Sequence, residues 1–101
     1  MMGWYVYILR CRDGTLYTGI AVDLRRRLEA HQRGAAAKYT RSRRPVTLAY
    51  QEQQPSRSSA LKREAGLRRL GRAGKLALIA TRRSLRARGH VHDAVAIDRY
   101  P

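Results

Sequence analysis

Tyr7 and Tyr17, on two neighbouring predicted strands, are the first residues whose type and spacing could support chemistry. Residues 4–9 are rich in aromatic and β-branched side chains and predict a strand, and residues 16–20 predict the strand that returns beside it. Asp13-Gly14 between them is a strong turn signal. Tyrosine packs well in strands, so the pair alone also fits an ordinary core.

The register of this predicted hairpin decides whether the two phenols share a face of the sheet. A two-residue turn pairs residues whose numbers add to an odd value and sends Tyr7 and Tyr17 to opposite faces. A three-residue loop of residues 12–14, with Gly14 left-handed in a bulge, gives an even value and puts both on one face. Gly19 then lies across from Tyr7, and we expect open space beside the hydroxyls. A single tyrosine site therefore requires the three-residue loop.

Arg27 and His31 lie four residues apart, one turn above each other, on a predicted amphipathic helix. The helix is expected to begin at Asp23, which stands where an N-cap residue belongs, and to run to about residue 32. The apolar stripe of the same helix adjoins the pair, which places it near the edge of the core. A solvated basic face is the alternative explanation of these two residues.

Glu64 is the third residue that breaks a simple division into core and surface. It lies three residues from both Leu61 and Leu67 in a second predicted helix, so it points toward the apolar side of that helix. An ionised carboxylate in this position needs a cation or hydrogen-bond donors, because the loss of its water is costly. An ion pair with arginine and a hard divalent cation such as Mg²⁺ both meet that need.

Charge is the strongest signal in the composition, with 22 basic residues against 7 acidic ones and a net charge of +15. Such an excess repels itself in a compact chain and calls for a compensating partner, most commonly nucleic acid. A predicted loop over residues 33–45 could track a phosphate backbone with its cations and stack a base on its aromatic ring. These loop residues are Lys38, Tyr39, Arg41, Arg43 and Arg44. An ordinary solvated loop is the alternative.

The composition also excludes several classes of protein. The longest apolar runs fall far short of the roughly 18 residues of a membrane span. The amino-terminal residues lack the charged region, apolar run and cleavage site of a signal peptide. The single cysteine, Cys11, excludes an internal disulfide and a cysteine-based metal site, which favours a reducing cytoplasm.

The elements that must position these residues follow the predicted order β-β-α-β-α-α. A third short strand is expected over residues 46–51, and the second helix is expected to end where Gly71 breaks it before a third covers residues 73–83. We therefore predict an α+β domain in which a small three-stranded antiparallel sheet is flanked by helices. Residues 1–83 are expected to form this domain, and residues 84–101 a C-terminal extension, partly packed or flexible.

The two tyrosine segments resemble the signature of the GIY-YIG nuclease superfamily. Tyr5-Val6-Tyr7, followed about ten residues later by Tyr17-Thr18-Gly19, is similar to the two halves of that signature. Tyr5 replaces its first glycine, and Thr18 replaces its middle isoleucine or valine. Both are strand positions at which a side chain can be accommodated.

The helical residues extend the resemblance over about residues 4–80. Arg27 and His31 stand at the positions where the family carries an arginine and a histidine or tyrosine, and Glu64 matches its single metal-binding glutamate. Together the five positions resemble the short stand-alone bacterial members. The resemblance implies that Tyr7, Tyr17, Arg27, His31 and Glu64 form the catalytic set.

The resemblance implies a metal-dependent endonuclease that hydrolyses phosphodiester bonds in DNA, with low sequence specificity or direction by DNA structure, in repair or recombination. Glu64 would hold one Mg²⁺ or Mn²⁺, Arg27 would neutralise developing charge, and a tyrosine would take a proton from the attacking water. Either tyrosine could be that base. DNA is expected ahead of RNA as the partner. The alternatives are a non-catalytic basic protein that binds DNA or RNA and keeps the fold, and an RNA- or ribosome-associated protein without an active site.

Overall fold

The computed structural model describes residues 3–87, and side chains as far as Arg82. Its elements are β1 (Trp4–Arg10), β2 (Leu16–Ala21), α1 (Leu24–Arg33), α2 (Lys38–Arg41), β3 (Thr47–Gln54) and α3 (Arg57–Ala87). The strands form one antiparallel sheet in the order β2-β1-β3. This confirms the predicted α+β class and the three-stranded antiparallel sheet, and it leaves β2 at a free edge.

Three details differ from the prediction. The short helix α2 lies inside the segment expected to be a loop, and β3 continues to Gln54. The expected break at Gly71 is present, with φ 72° and ψ −177°, and helix resumes directly after it. It continues to Ala87, so the predicted extension 84–101 begins within this helix. Residues 88–101 of that extension lie outside the described residues.

The sheet separates two apolar clusters because successive side chains of a strand point to opposite faces. The α1 face carries the buried residues Tyr7, Leu9, Cys11, Ala21, Leu24, Leu28, Val46 and Leu48. The α3 face carries the buried residues Val6, Ile8, Ala49, Tyr50, Ala60, Leu67 and Ile79. Strand β1 therefore supplies both clusters, its odd-numbered residues to one and its even-numbered residues to the other.

The β1–β2 hairpin has the three-residue loop that a shared tyrosine face requires. The amide of Cys11 donates to the carbonyl of Thr15 (2.9 Å), which encloses residues 12–14. Gly14 is left-handed, with φ 86°, a conformation that glycine adopts without steric cost. Tyr7 pairs with Gly19 in the resulting register, and Leu9 pairs with Tyr17. The numbers of paired residues therefore add to an even value, as a shared face for Tyr7 and Tyr17 requires.

Helix α1 begins and ends as its sequence predicts. The carboxylate of Asp23 accepts a hydrogen bond from the amide of Arg26 (3.1 Å), and Gly34 ends the helix in the left-handed conformation. These caps fix the rotation of α1, which turns Leu28 and His31 inward and leaves Arg27 exposed. Within residues 3–87, no helix combines the length and the apolar character needed to cross a membrane.

Candidate active site

The phenol of Tyr7 is fully buried and lies across the backbone of Gly19. A Cβ atom at Gly19 would come within 2.6 Å of the Tyr7 hydroxyl oxygen and 2.7 Å of its ring carbon Cζ. The expectation of open space beside the hydroxyls is therefore wrong at this point, because the ring of Tyr7 occupies that space. Only glycine lets the phenol reach over the edge strand β2.

A buried chain of hydrogen bonds joins Tyr7 to the loop before α2. The hydroxyl of Tyr7 lies 3.0 Å from His31 Nε2, and His31 Nδ1 lies 2.7 Å from the hydroxyl of Thr40. That hydroxyl donates its single proton to the carbonyl of Ala37 (3.2 Å), so it accepts from Nδ1–H. His31 Nε2 then carries no proton and accepts the O–H of Tyr7. We call this chain the Tyr7–His31–Thr40 relay.

Both titrating members of the relay are held in their neutral forms. Burial lowers the pKa of His31 to about 4, and the charge of Arg27 acts in the same direction. Burial also raises the pKa of Tyr7 to about 12, with a further increase from Tyr17, although Arg27 opposes it. At neutral pH the shared proton therefore belongs to the phenol, and Tyr7 is a hydrogen-bond donor rather than a base.

Tyr17 is the more accessible phenol of the pair. It is half-buried, and its ring meets the ring of His31 in an edge contact, with centroids 5.4 Å apart. Its ring also stacks on Tyr39, with centroids 5.8 Å apart and planes inclined by 22°. Tyr17 therefore joins the buried relay to the surface of α2.

Arg27 reaches the free edge of β2 from the α1 face. Its Nη1 donates to the carbonyl of Ile20 (3.2 Å), a backbone group that an edge strand leaves unpaired. Its positive charge also favours the phenolate of Tyr7 and lowers the pKa of that phenol against the effect of burial. One exposed guanidinium thus lies beside both the buried phenol and the strand edge.

Glu64 reaches the same edge from the opposite side of the sheet, on α3. Its side chain is only 15% exposed, and its Oε2 accepts from Arg68 Nη2 (3.0 Å). The same Nη2 donates to the carbonyl of Thr18 (3.3 Å), which fixes the ion pair against β2. The carboxylate of Glu64 is close enough to Tyr7 to contribute to the rise in that phenol's pKa. All five residues predicted for catalysis therefore converge around Gly19 on the edge of β2.

The donor set around Glu64 fits a strongly hydrated divalent cation. Within the described part of the chain, no three His, Cys, Asp or Glu side chains are grouped as a metal cage. Among the same residues, Glu64 Oε1 receives no hydrogen bond and remains available as a ligand. Mg²⁺ usually keeps several waters and binds through one or two carboxylates plus substrate phosphate, so a single carboxylate suits it.

Among the residues predicted to bind nucleic acid, Tyr39 stacks on Tyr17, and two arginines already have partners in the chain. The guanidinium of Arg43 lies 3.9 Å above the ring of Tyr39, donates to its carbonyl and pairs with Asp13 (3.1 Å). Arg44 donates to the carbonyls of Gln32 and Arg41. Lys38 and the side chain of Arg41 are exposed. Arg43 and Arg44 therefore also hold the loop in place beside Tyr17.

Two residues that the sequence analysis did not single out help to build the site. Arg68 lies one helical turn after Glu64, so the spacing of i and i+4 could have identified it as a partner. Thr40 carried no such signal, because it lies in a segment without periodicity and meets His31 only in the folded chain.

The structure is a small α+β domain in which paired tyrosines, an arginine and one available carboxylate meet at a sheet edge. The sequence matches the GIY-YIG catalytic domain over residues 3–77. This chain therefore belongs to the GIY-YIG family.

Bacterial relatives cover the same part of the chain. A UPF0213 protein from Streptococcus sanguinis is 51% identical over 78 residues, covering 77% of this chain and 90% of that protein. A UPF0213 protein from Staphylococcus aureus is 53% identical over 78 residues, covering 77% and 95%. The solution NMR structure of a UPF0213 protein from Bacillus halodurans matches with a TM-score of 0.52 and 41% identity, over 80% of this chain and 85% of that one. The chain is thus similar to short bacterial proteins of nearly the same extent.

Proposed function

We propose that this protein is a metal-dependent endonuclease that hydrolyses phosphodiester bonds in DNA. The observation that carries the proposal is the position of Glu64, which Arg68 ties to the carbonyl of Thr18, between Tyr17 and Gly19 on β2, although α3 packs on the opposite face of the sheet from Tyr7. Membership of the GIY-YIG family supports the same class of reaction. The net charge of +15 supports a polyanionic substrate, with DNA expected ahead of RNA.

Glu64 is the residue that would hold the divalent cation, Mg²⁺ or Mn²⁺, through its free Oε1. When bound, such a cation polarises a phosphoryl oxygen and stabilises the leaving oxygen. Arg68 orients the carboxylate toward the edge of β2 through its paired hydrogen bonds. This pairing leaves one oxygen for the cation and one for the protein.

Arg27 is the group that would meet charge on the scissile phosphate. Its side chain is exposed, and the hydrogen bond to the carbonyl of Ile20 holds it at the strand edge while leaving other N–H donors available. Preorganised donors of this kind stabilise charge that develops in the transition state.

We assign the general base to Tyr17 and a positioning role to the Tyr7–His31–Thr40 relay. Tyr7 donates its hydroxyl proton in a hydrogen bond to His31. The pKa of Tyr7, about 12, keeps this phenol protonated at neutral pH, so it cannot accept a proton from water. Tyr17 lies beside the same imidazole but is half-exposed, so it can contact an attacking water. Tyr17 would first release its own proton to solvent. The water proton would then pass to the Tyr17 phenolate oxygen as the water oxygen bonds to phosphorus, while the bond from phosphorus to the leaving oxygen breaks and solvent protonates that oxygen.

The substrate is expected to be selected by backbone shape and charge rather than by base sequence. Lys38 and Arg41 are exposed cations of α2, the helix whose Tyr39 stacks on Tyr17, and they are suited to backbone phosphates. Tyr39 can receive a base only if the Arg43 guanidinium above its ring moves aside. A role in DNA repair or recombination within the cytoplasm agrees with structure-directed cutting.

The test compares wild-type protein with Glu64→Gln on branched, flapped and linear DNA, and on RNA, with Mg²⁺ or Mn²⁺. We expect the substitution to reduce cleavage at least about 100-fold, because Gln removes the charged ligand while conserving shape. Glu29→Gln on α1 is the matched control, since it makes the same change in chemistry and net charge, and its cleavage should equal that of wild type. Equal products from wild type and Glu64→Gln would overturn the proposal.

The ion pair between Glu64 and Arg68 favours one alternative, a non-catalytic nucleic-acid-binding protein that keeps the fold. This pair gives the carboxylate a structural partner that needs no metal. Strongly salt-dependent binding without cleavage under every metal condition would support that alternative.

A further inference from the structure

A second concave site lies between the β1–β2 hairpin and the break in α3, away from the tyrosines. It is a pocket of about 210 Å³. Its lining residues are Thr15, Leu16, Gly71, Arg72 and Lys75. Two of these five are cations and none is acidic, so the pocket is suited to an anion.

Lys75 is the residue that marks this pocket as a binding site. It is only 9% exposed, and among the described residues no carboxylate or hydrogen-bond acceptor pairs with its ammonium group. Burial and the neighbouring charge of Arg68 both lower the pKa of its amine. The stem of Lys75 is packed in the fold while its ammonium nitrogen keeps contact with solvent, so a bound anion can pair with that charge.

Arg72 places a second cation at the rim of the same pocket. Its Nη1 donates to the carbonyl of Gly14 (2.7 Å), which ties the guanidinium to the hairpin and leaves other N–H groups for a ligand. Helix resumes after Gly71, and the amino-terminal end of a helix carries partial positive charge. Asp13, the acid of the hairpin loop, is already paired with Thr15 and Arg43.

We propose that this pocket binds a phosphate group of a nucleic-acid strand, with Lys75 and Arg72 as its cationic contacts. Gly71, which lines the pocket at the break in α3, lies about 10 Å along the helix from Glu64, at about 1.5 Å per residue. That separation corresponds to about three steps of a duplex at about 3.4 Å each. The pocket would therefore hold the strand a few nucleotides from the bond that faces Glu64.

The choice of a nucleic-acid strand as the source of the phosphate rests on the proposed function, whereas the phosphate chemistry of the pocket does not. Binding measured without divalent cation separates the pocket proposal from the proposed function. If the pocket fails to bind phosphate, the proposal of cleavage at Glu64 is unaffected. An uncleaved strand bound equally by wild type and Glu64→Gln would show that the readout is independent of the reaction.

The first experiment titrates inorganic phosphate into the full chain labelled at its three lysines, Lys38, Lys62 and Lys75. We expect the side-chain NMR resonance of Lys75 to shift in a saturable way while that of Lys62, exposed on the first half of α3, does not. This measurement uses the wild-type protein and needs no variant to fold. An unmoved Lys75 resonance would overturn the proposal.

The second experiment compares Lys75→Met with Lys62→Met, which remove the same charge and put the same side chain on the same helix. We expect Lys75→Met to weaken phosphate and oligonucleotide binding about tenfold and Lys62→Met to change neither. Equal losses in both variants would show only a general charge effect and would contradict the proposal. Circular dichroism spectra confirm that each variant is folded.

Two oligonucleotides distinguish a terminal phosphate from an internal one. If the pocket holds a strand end, a 5′-phosphorylated strand binds wild type more tightly than its 5′-hydroxyl counterpart, and Lys75→Met removes the difference. If it holds an internal phosphodiester, both strands bind equally and Lys75→Met weakens both. Oligonucleotide binding that Lys75→Met leaves unchanged would overturn the assignment to nucleic acid.

Discussion

The two faces of the sheet use the same strands in different ways. On the α1 face, the side chains of Tyr7, His31 and Thr40 are buried and joined by hydrogen bonds. On the α3 face, the hydroxyl of Tyr50 donates to Glu52, and the exception is the hydroxyl of Thr18, which is buried without a partner among the described residues. The α1 face joins its buried polar groups in one network, whereas the α3 face leaves a buried hydroxyl unpaired.

This difference shows what a functional core requires of its neighbours. A buried polar network is stabilising only when each donor meets an acceptor, and an unpaired group costs the free energy of its lost hydration. Strand β1 can therefore carry Tyr7 on one face only because α1 and α2 supply His31 and Thr40 there. Substitutions on each face test this difference.

The largest expected effect comes from Gly19→Ala, which breaks the α1 face. The new Cβ atom would lie 2.6 Å from the hydroxyl oxygen of the buried Tyr7, whose ring has no room to retreat. We expect the free energy of unfolding to fall by about 3 kcal/mol, as for severe overpacking, and DNA cleavage to fall with it. Urea denaturation measures the first and the nuclease assay the second.

Gly66→Ala is the control for that substitution. Gly66 lies in α3, and a Cβ atom there meets nothing within 4 Å. Because alanine favours helix over glycine, this variant should gain about 0.5–1 kcal/mol. Comparable losses in both variants would contradict the steric explanation of Gly19.

The hairpin and the histidine show how far the sequence alone could predict this site. The sequence left two registers open, and only the condition that both tyrosines share one site selected the three-residue loop that the structure has. The filled space at Gly19 was not predictable, because a backbone pairing does not reveal the path of a tyrosine ring. Thr40 was also missed, since its contact with His31 depends on how the non-periodic segment folds back.

The local sequence pattern could not predict that residues from both faces of the sheet meet at the edge of β2. The spacing of residues in α3 predicts that Glu64 faces the apolar side, but not that this side passes the free edge of β2 near Arg27. Only the resemblance to a known family linked these distant residues in advance. The break at Gly71, by contrast, was visible from the residue type.

The second prediction concerns the pH dependence conferred by the relay. His31 has a pKa of about 4 in the folded chain and about 6.5 when unfolded, so below pH 6.5 the unfolded chain binds a proton that the folded chain excludes. Stability therefore falls as the pH falls, by about 2 kcal/mol between pH 7 and pH 5. Urea denaturation at a series of pH values measures it.

His31→Gln is the variant that sharpens this prediction, since it cannot gain a proton in that range and leaves the other two histidines in place. Its stability should be lower at pH 7 but nearly constant down to pH 5. A pH dependence as steep as that of wild type would assign the effect to other groups.

The smallest expected effect tests the exception on the α3 face, Thr18. Its side chain is 2% exposed and its hydroxyl has no partner among the described residues, although its carbonyl accepts from Arg68. Thr18→Val keeps the shape, removes the unpaired hydroxyl and leaves the carbonyl in place. We expect a gain of about 1 kcal/mol in the free energy of unfolding, because the folded chain no longer bears that desolvation cost.

Thr47→Val, at an exposed position of β3, should change stability by less than about 0.5 kcal/mol. A loss of stability in Thr18→Val would mean that the hydroxyl makes a stabilising hydrogen bond. The buried polar groups of both faces would then be paired.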